Sequence, residues 1–193
     1  MVTLQSRLSV AIASLKARRP VDIFRLISDL RVTAGDIATF LEPPNGNPYG
    51  RRLILSEGGI EVLLMNWASK HECAPHDHGA SFGFIRILNG TARERRFTLR
   101  AGKLELLTDV ERTSARPIFV KAPTIHSMIN PHDAPLITLH AYAPAIHGMK
   151  VYDPLRCVGC VVRDTCGAWL PTPEERLAEF SLGFASEQTS SAG

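Results

Sequence analysis

The sequence has no marked excess of either charge. Its 193 residues carry 22 Lys and Arg against 19 Asp and Glu, a formal net charge of +3. A surplus so small and so evenly spread argues against a nucleic-acid surface. The one basic cluster, RERRF at Arg93–Phe97, reads as a solvated strand face or turn. Long hydrophobic runs are also missing: nothing approaches the roughly eighteen uninterrupted apolar residues of a membrane span. The apolar stretches near the N-terminus are broken by Arg7 and Lys16, so no export signal is expected there. Cysteine is scarce, with 4 residues. In the cytoplasmic location that these absences imply, those cysteines are expected to be thiols or metal ligands, not disulfides. There is no internal repeat and no helix with a basic recognition face.

What is present falls into three parts. Residues 1–44 read as a helical segment packed on the rest. Leu4, Leu8, Val10, Ala11 and Leu15 form one helical stripe, and Ile23, Phe24, Ile27, Leu30 and Val32 form a second behind Pro20. A further short helix in TAGDIATFLEPP is stopped by Pro43 and Pro44. Residues 45–155 change texture to short β-rich runs separated by Gly, Pro, Asn and Asp, the pattern of a mainly β jelly-roll barrel. Residues 156–193 form a C-terminal extension with a cysteine cluster, a capped helix in TPEERLAEFSLGF and a frayed tail.

The chemistry concentrates in CAPHDHGASFG, residues 73–83. His76 and His78 are two apart, so on a strand both rings share a face, as two metal ligands would. His126 in KAPTIHSMIN is the third imidazole, and ITLHAYAP places Thr138, His140 and Tyr142 on one face of a later strand. In a small barrel such inward side chains converge. Three neutral imidazoles leave metal positions open for substrate and oxygen, but imidazole alone does not choose between Fe, Zn, Cu and Ni.

HDHGASFGFIRILNG resembles the first cupin motif, with His76, His78 and Gly90 on its spacing and Gly83 where a glutamate is common. PTIHSMIN resembles the second, with His126 as ligand, Asn130 four residues on, and Pro123 where a glycine is usual. The missing glutamate points to the thiol-dioxygenase branch, and within it the chain resembles the cysteine dioxygenase family over roughly residues 47–145. The resemblance implies a cupin (double-stranded β-helix) fold with N-terminal helices and Fe(II) held by His76, His78 and His126. It implies Arg51 and Tyr49 at the substrate, with His140 and Tyr142 serving both substrate binding and catalysis. The implied reaction takes L-cysteine and O2 to cysteine sulfinic acid. Mammalian members join a cysteine at the Gly83 position to the tyrosine; glycine excludes that crosslink here.

Two other readings stand beside this one. The first is a dioxygenase for another small thiol, such as 3-mercaptopropionate or a modified cysteine. The second is a non-catalytic metal-binding or sensing cupin. Outside the resemblance, Cys157, Cys160 and Cys166 are spaced C-x2-C-x5-C. They admit a second, structural zinc, with Cys73, His147 or a residue of another subunit as fourth ligand, against free or redox-active thiols. Partners are then a small thiol and O2, without nucleic acid or membrane, in a monomer or small homo-oligomer.

Overall fold

The computed structural model describes residues 2–183; the expected frayed tail lies outside the described residues. The chain opens with α1 (Leu4–Ala13), α2 (Pro20–Asp29) and α3 (Ala34–Ile37), the last running into a single 3-10 turn at Ala38–Phe40. Eleven strands follow: β1 (Tyr49–Glu57), β2 (Ile60–Trp67), β3 (Phe82–Asn89), β4 (Ala92–Arg100), β5 (Lys103–Arg112), β6 (Ile118–Val120), β7 (Ile125–Ile129), β8 (Leu136–Ala143), β9 (Lys150–Asp153), β10 (Val158–Val162) and β11 (Arg176–Ser181). They form a five-stranded sheet in the order β1-β2-β8-β3-β6 and two three-stranded sheets, β5-β4-β7 and β11-β10-β9. Every sheet pairing is antiparallel. The expected mainly β, jelly-roll architecture is what the chain adopts.

The five-stranded sheet is covered on both faces, and this decides where each side chain of β8 goes. Leu139, Ala141 and Ala143 join Ile60, Val62 and Leu64 of β2 beneath the helices, against Leu4, Leu8, Ile12, Ile23 and Ile27. Thr138, His140 and Tyr142 therefore point the other way. On that inner side Leu63, Met65 and Trp67 of β2 meet Ile85 and Ile87 of β3 and Met128 of β7. Burying both faces explains why β2 reads as one near-continuous apolar run rather than an alternation.

Local details of the helices differ from the sequence-derived stripes. On α1 the core positions are Leu4, Leu8 and Ile12, while Val10 is 72% exposed. On α2 they are Ile23, Leu26 and Ile27, with Phe24 at the rim against Phe84. The larger correction is at the C-terminus. Thr172 and Glu175 form the capping box that marks a helix start, but the helix lasts one 3-10 turn, Pro173–Glu175. The chain then extends as β11 along β10. The open edge of β10 supplies hydrogen-bond partners to every second residue, which outweighs the modest helix propensity of RLAEF.

Candidate metal centre and thiol pocket

The histidines are brought together by backbone pairing. His76 N–H donates to His126 C=O and His126 N–H donates to His76 C=O, both at 2.9 Å. This isolated antiparallel bridge ties the H-x-H segment to β7. Asp77 pins the segment from the other side. Its buried carboxylate accepts from Gly79 N–H (2.9 Å), Lys150 N–H (3.2 Å) and the Tyr152 hydroxyl (3.0 Å). Gly79 turns the chain with φ +60°, and a Cβ there would lie 2.2 Å from His147 O, so only glycine fits.

The result is a trio, His76, His78 and His126, whose donor atoms all lie within 4.8 Å of one another. His76 Nδ1 is 2.9 Å from Ala74 O; donating there leaves its Nε2 lone pair free. His126 Nδ1 is 3.2 Å from Glu94 Oε1, and His126 Nε2 is buried with no hydrogen-bond partner, as is His78 Nδ1. Burial, reinforced by the neighbouring imidazoles, holds His76 and His78 well below the usual histidine range. Imidazoles with orphaned buried nitrogens are the donor set a divalent transition metal requires.

Gly83 shows why no carboxylate shares this centre. It pairs with Tyr142 across β3 and β8, and a Cβ on it would stand 2.3 Å from Tyr142 Cδ1 and 2.5 Å from Ala141 O. The tyrosine ring occupies the space a side chain would need. Tyr142 also stacks on His78, centroids 4.6 Å apart and 25° between planes.

Behind Tyr142 runs a buried relay. Trp67 Nε1 donates to Thr138 Oγ1 (2.8 Å), which lies 2.7 Å from His140 Nε2; His140 Nδ1 is 3.0 Å from the Tyr142 hydroxyl. Indole nitrogen can only donate, so Thr138 accepts from it; in the tautomer of His140 that takes the threonine's own hydrogen, Thr138 donates to His140 Nε2. His140 then carries its proton on Nδ1 and gives it to the Tyr142 oxygen. The phenolic hydrogen is left free for the pocket. Burial, with His126 and Arg51 adding to it, lowers His140 to about 3, so this tautomer chain is neutral. Burial raises the Tyr142 phenol well above its ordinary value, so it keeps its proton.

The three histidines, Tyr142, Arg51 and Tyr49 line one pocket. Arg51 is engaged: its Nη2 donates to Glu61 Oε1 (2.9 Å) and to Asp164 O (3.4 Å). The Tyr49 hydroxyl accepts from Ala168 N–H at 2.6 Å, while its ring lies 4.7 Å from Trp67. Tyr49 therefore anchors the 163–169 loop, whose Arg163, Asp164 and Cys166 line the mouth.

Three features went unread in the sequence. Glu94 lies inside RERRF, which is not wholly solvated. Arg93 and Arg95 face outward onto Asp109, while Glu94 turns inward at 1% exposure. The period-2 alternation after buried Ala92 was the available signal. Glu61 stands in the apolar run IEVLLM, where a lone carboxylate marks a buried partner. Asp77, between the two histidines, had no signal beyond its position.

The cysteine trio does not come together. Cys157 donates toward Pro154 O (3.7 Å), Cys160 toward Glu179 Oε2 (4.0 Å) and Cys166 to Gly167 O (3.2 Å). Cys73 accepts from Met128 N–H (3.2 Å), and His147 faces Asp164 near the surface (3.0 Å). Among the described residues, the histidine trio is the one cluster with metal-binding spacing, so the structural zinc weighed against free thiols at Cys157, Cys160 and Cys166 finds no support. Also among them, no helix is long and apolar enough to cross a membrane.

Comparison with known proteins agrees with this geometry. The chain is 25% identical to cysteine dioxygenase type 1 of Rattus norvegicus over 162 residues, covering 72% of this chain and 81% of the relative. It is 23% identical to the Homo sapiens protein of that name over the same shares. A solved Klebsiella pneumoniae protein, described as an uncharacterized conserved protein with a double-stranded beta-helix domain, superposes with a TM-score of 0.52 at 17% identity. That match covers 64% of this chain and 98% of the other, and it supports the fold alone. The family model "Cysteine dioxygenase type I" matches residues 44–154, a span holding all three histidines, Arg51, Glu61 and the Thr138–His140–Tyr142 face. The chain belongs to the cysteine dioxygenase type I family, and it is a thiol dioxygenase on a cupin fold.

Proposed function

We propose that the protein is an Fe(II) enzyme that joins L-cysteine and O2 into cysteine sulfinic acid, both oxygen atoms ending on the sulfur. The observation that carries this reading is the three-imidazole cluster facing Arg51 and the Tyr142 hydroxyl across one pocket, with no carboxylate among its donors. His76, His78 and His126 hold the iron, and the bound ferrous ion supplies the oxygen-activating chemistry. A neutral ligand set leaves that centre cationic, which favours an anionic thiolate beside it.

The chain's own groups do the rest. Arg51 takes the substrate carboxylate. Tyr142 presents its hydroxyl hydrogen to the reacting sulfur and oxygen atoms, in an orientation set by His140, Thr138 and Trp67. Leu63, Ile85 and Met128 in the wall restrict water. Cytoplasmic operation belongs to the same proposal, supported by four cysteines that stand as free thiols.

The test is anaerobic reconstitution with Fe(II), then oxygen uptake with L-cysteine and with 3-mercaptopropionate, with mass-spectrometric detection of the sulfinate. Stoichiometric uptake of one O2 per L-cysteine, with sulfinate formed, is the expected result. Absence of uptake with every small thiol would sink the proposal.

A further inference from the structure

Glu61 is a buried carboxylate behind the pocket-lining Arg51, 8% exposed, and both its oxygens are in use. Oε1 accepts from Arg51 Nη2 at 2.9 Å, and Oε2 accepts from Ile146 N–H at 3.1 Å. Register places Glu61 directly opposite Tyr142 on β8, so the pair stands beside the reacting end of the pocket. Asp164 C=O receives the remaining hydrogen of the same Nη2, at 3.4 Å.

This matters for what Arg51 can grip. A guanidinium offers a carboxylate two forked edges, Nη1 with Nη2 and Nε with Nη2. Nη2 belongs to both, and here it is taken from each side. What Arg51 has left is single donors, which a carboxylate, an amide oxygen or a hydroxyl can all use. Its charge is also offset within the wall, because Glu61 lies at hydrogen-bond distance in a poorly solvated site.

We infer that Glu61 is the specificity-determining residue for the substrate's tail. It competes with a substrate carboxylate for Arg51, so the pocket accepts small thiols with neutral or amine tails nearly as well as L-cysteine. This rests on the small-thiol reading of the site and deepens it. A thiol carrying a carboxylate has to displace Glu61 from Nη2 to be held by a fork. A thiol such as cysteamine or L-cysteine amide meets no such competition.

The experiment compares kcat/KM for L-cysteine and L-cysteine amide in the Fe(II)-loaded wild type, E61Q and E61A. Removing the carboxylate leaves Arg51 seeking an anion, and a hydrogen bond to a charged group carries enough energy for about a tenfold rise in the acid-to-amide ratio. The change is expected mainly in KM. Glu61→Ala, which has no side-chain oxygen to refill Nη2, should show it at least as strongly as Glu61→Gln. An unchanged ratio overturns the inference. So does a falling ratio, which would show that Glu61 orients Arg51 for the carboxylate. Anaerobic titration of the same proteins, read as protection against thermal unfolding, gives the ratio without turnover. It decides the inference even if no thiol supports oxygen uptake, the result that sinks the proposed reaction instead.

Discussion

Glu94 Oε1 lies 3.2 Å from His126 Nδ1, and both side chains are 1% exposed. A centre built without an anionic ligand thus keeps an anion one imidazole away. Arg112 reaches Glu94 Oε2 through Nε (2.9 Å) and Nη2 (2.6 Å), while Arg96 Nε meets Oε1 at 3.0 Å. Burial alone would raise the Glu94 carboxyl, but His126, Arg96 and Arg112 outweigh that and hold it at about 2. An ionised carboxylate at Nδ1 fixes the proton there and makes Nε2 a better donor. Glu94→Gln is expected to weaken metal binding by about 10–100-fold, the usual range for lost outer-sphere partners. Chelator competition measures this without turnover; an unchanged metal affinity would leave Glu94 with only its structural ion pairs.

Thr138→Val removes one hydroxyl and breaks the relay at its centre. Trp67 Nε1 loses its acceptor while still buried, a cost of about 1–3 kcal/mol in denaturant unfolding. His140 loses the donor that fixes its tautomer, so the Tyr142 hydrogen is no longer held toward the pocket. Turnover should fall while metal content stays normal, since Thr138 hydrogen-bonds to Trp67 and His140 and to none of the three clustered histidines. Thr138→Ser keeps the oxygen and should restore both stability and rate. A valine variant with wild-type kcat would remove the relay from the mechanism.

The residues legible in the sequence were those whose spacing and chemistry agree. H-x-H on an extended segment, and Thr138, His140 and Tyr142 alternating on β8, each follow from a period of two. The β-rich runs from Arg51 onward became β1 to β8 because Gly, Pro, Asn and Asp bound each of them. Glu61 and Glu94 were missed because their partners come from elsewhere in the chain. Ile146 and Arg51 flank Glu61, and His126 sits on the strand beside Glu94. The C-terminal helix failed because capping chemistry at Thr172 starts a helix but does not decide its length, whereas the edge of β10 does.

Gly83→Ala tests whether the absent carboxylate is a matter of space. The new Cβ would fall 2.3 Å from Tyr142 Cδ1 and 2.5 Å from Ala141 O. The ring can turn aside, but the carbonyl belongs to the paired β8 backbone and cannot move without disturbing the sheet. Overpacking of this kind costs about 1–3 kcal/mol. Activity should fall further than stability, because the ring that moves carries the hydroxyl and stacks on His78. Equilibrium unfolding and kcat, measured on one preparation, separate the two effects. Wild-type values for both would show that strand β3 has slack at this point.

The buried histidines also set how the metal-free protein responds to acid. His140 is lowered to about 3, and His76 and His78 are lowered as well, burial being the first cause for each. In the unfolded chain a histidine titrates near about 6.5. Below that value the unfolded chain binds protons that the folded one refuses, so folding stability falls with pH. For His140 the loss starts near its unfolded value and is complete only below about 3. Glu61, pushed up by burial despite Arg51, acts in the opposite sense: its protonation on folding adds stability as pH falls. The thermal midpoint of the metal-free protein should therefore be nearly level from pH 8 to 7 and decline from pH 6.5 to 5. Most unfolded carboxylates are still ionised over that interval, with ordinary values near about 4. Glu61→Gln removes the opposing group, and His140→Gln should flatten the decline. A midpoint independent of pH between 7 and 5 in all three proteins would mean that these histidines take up protons without unfolding.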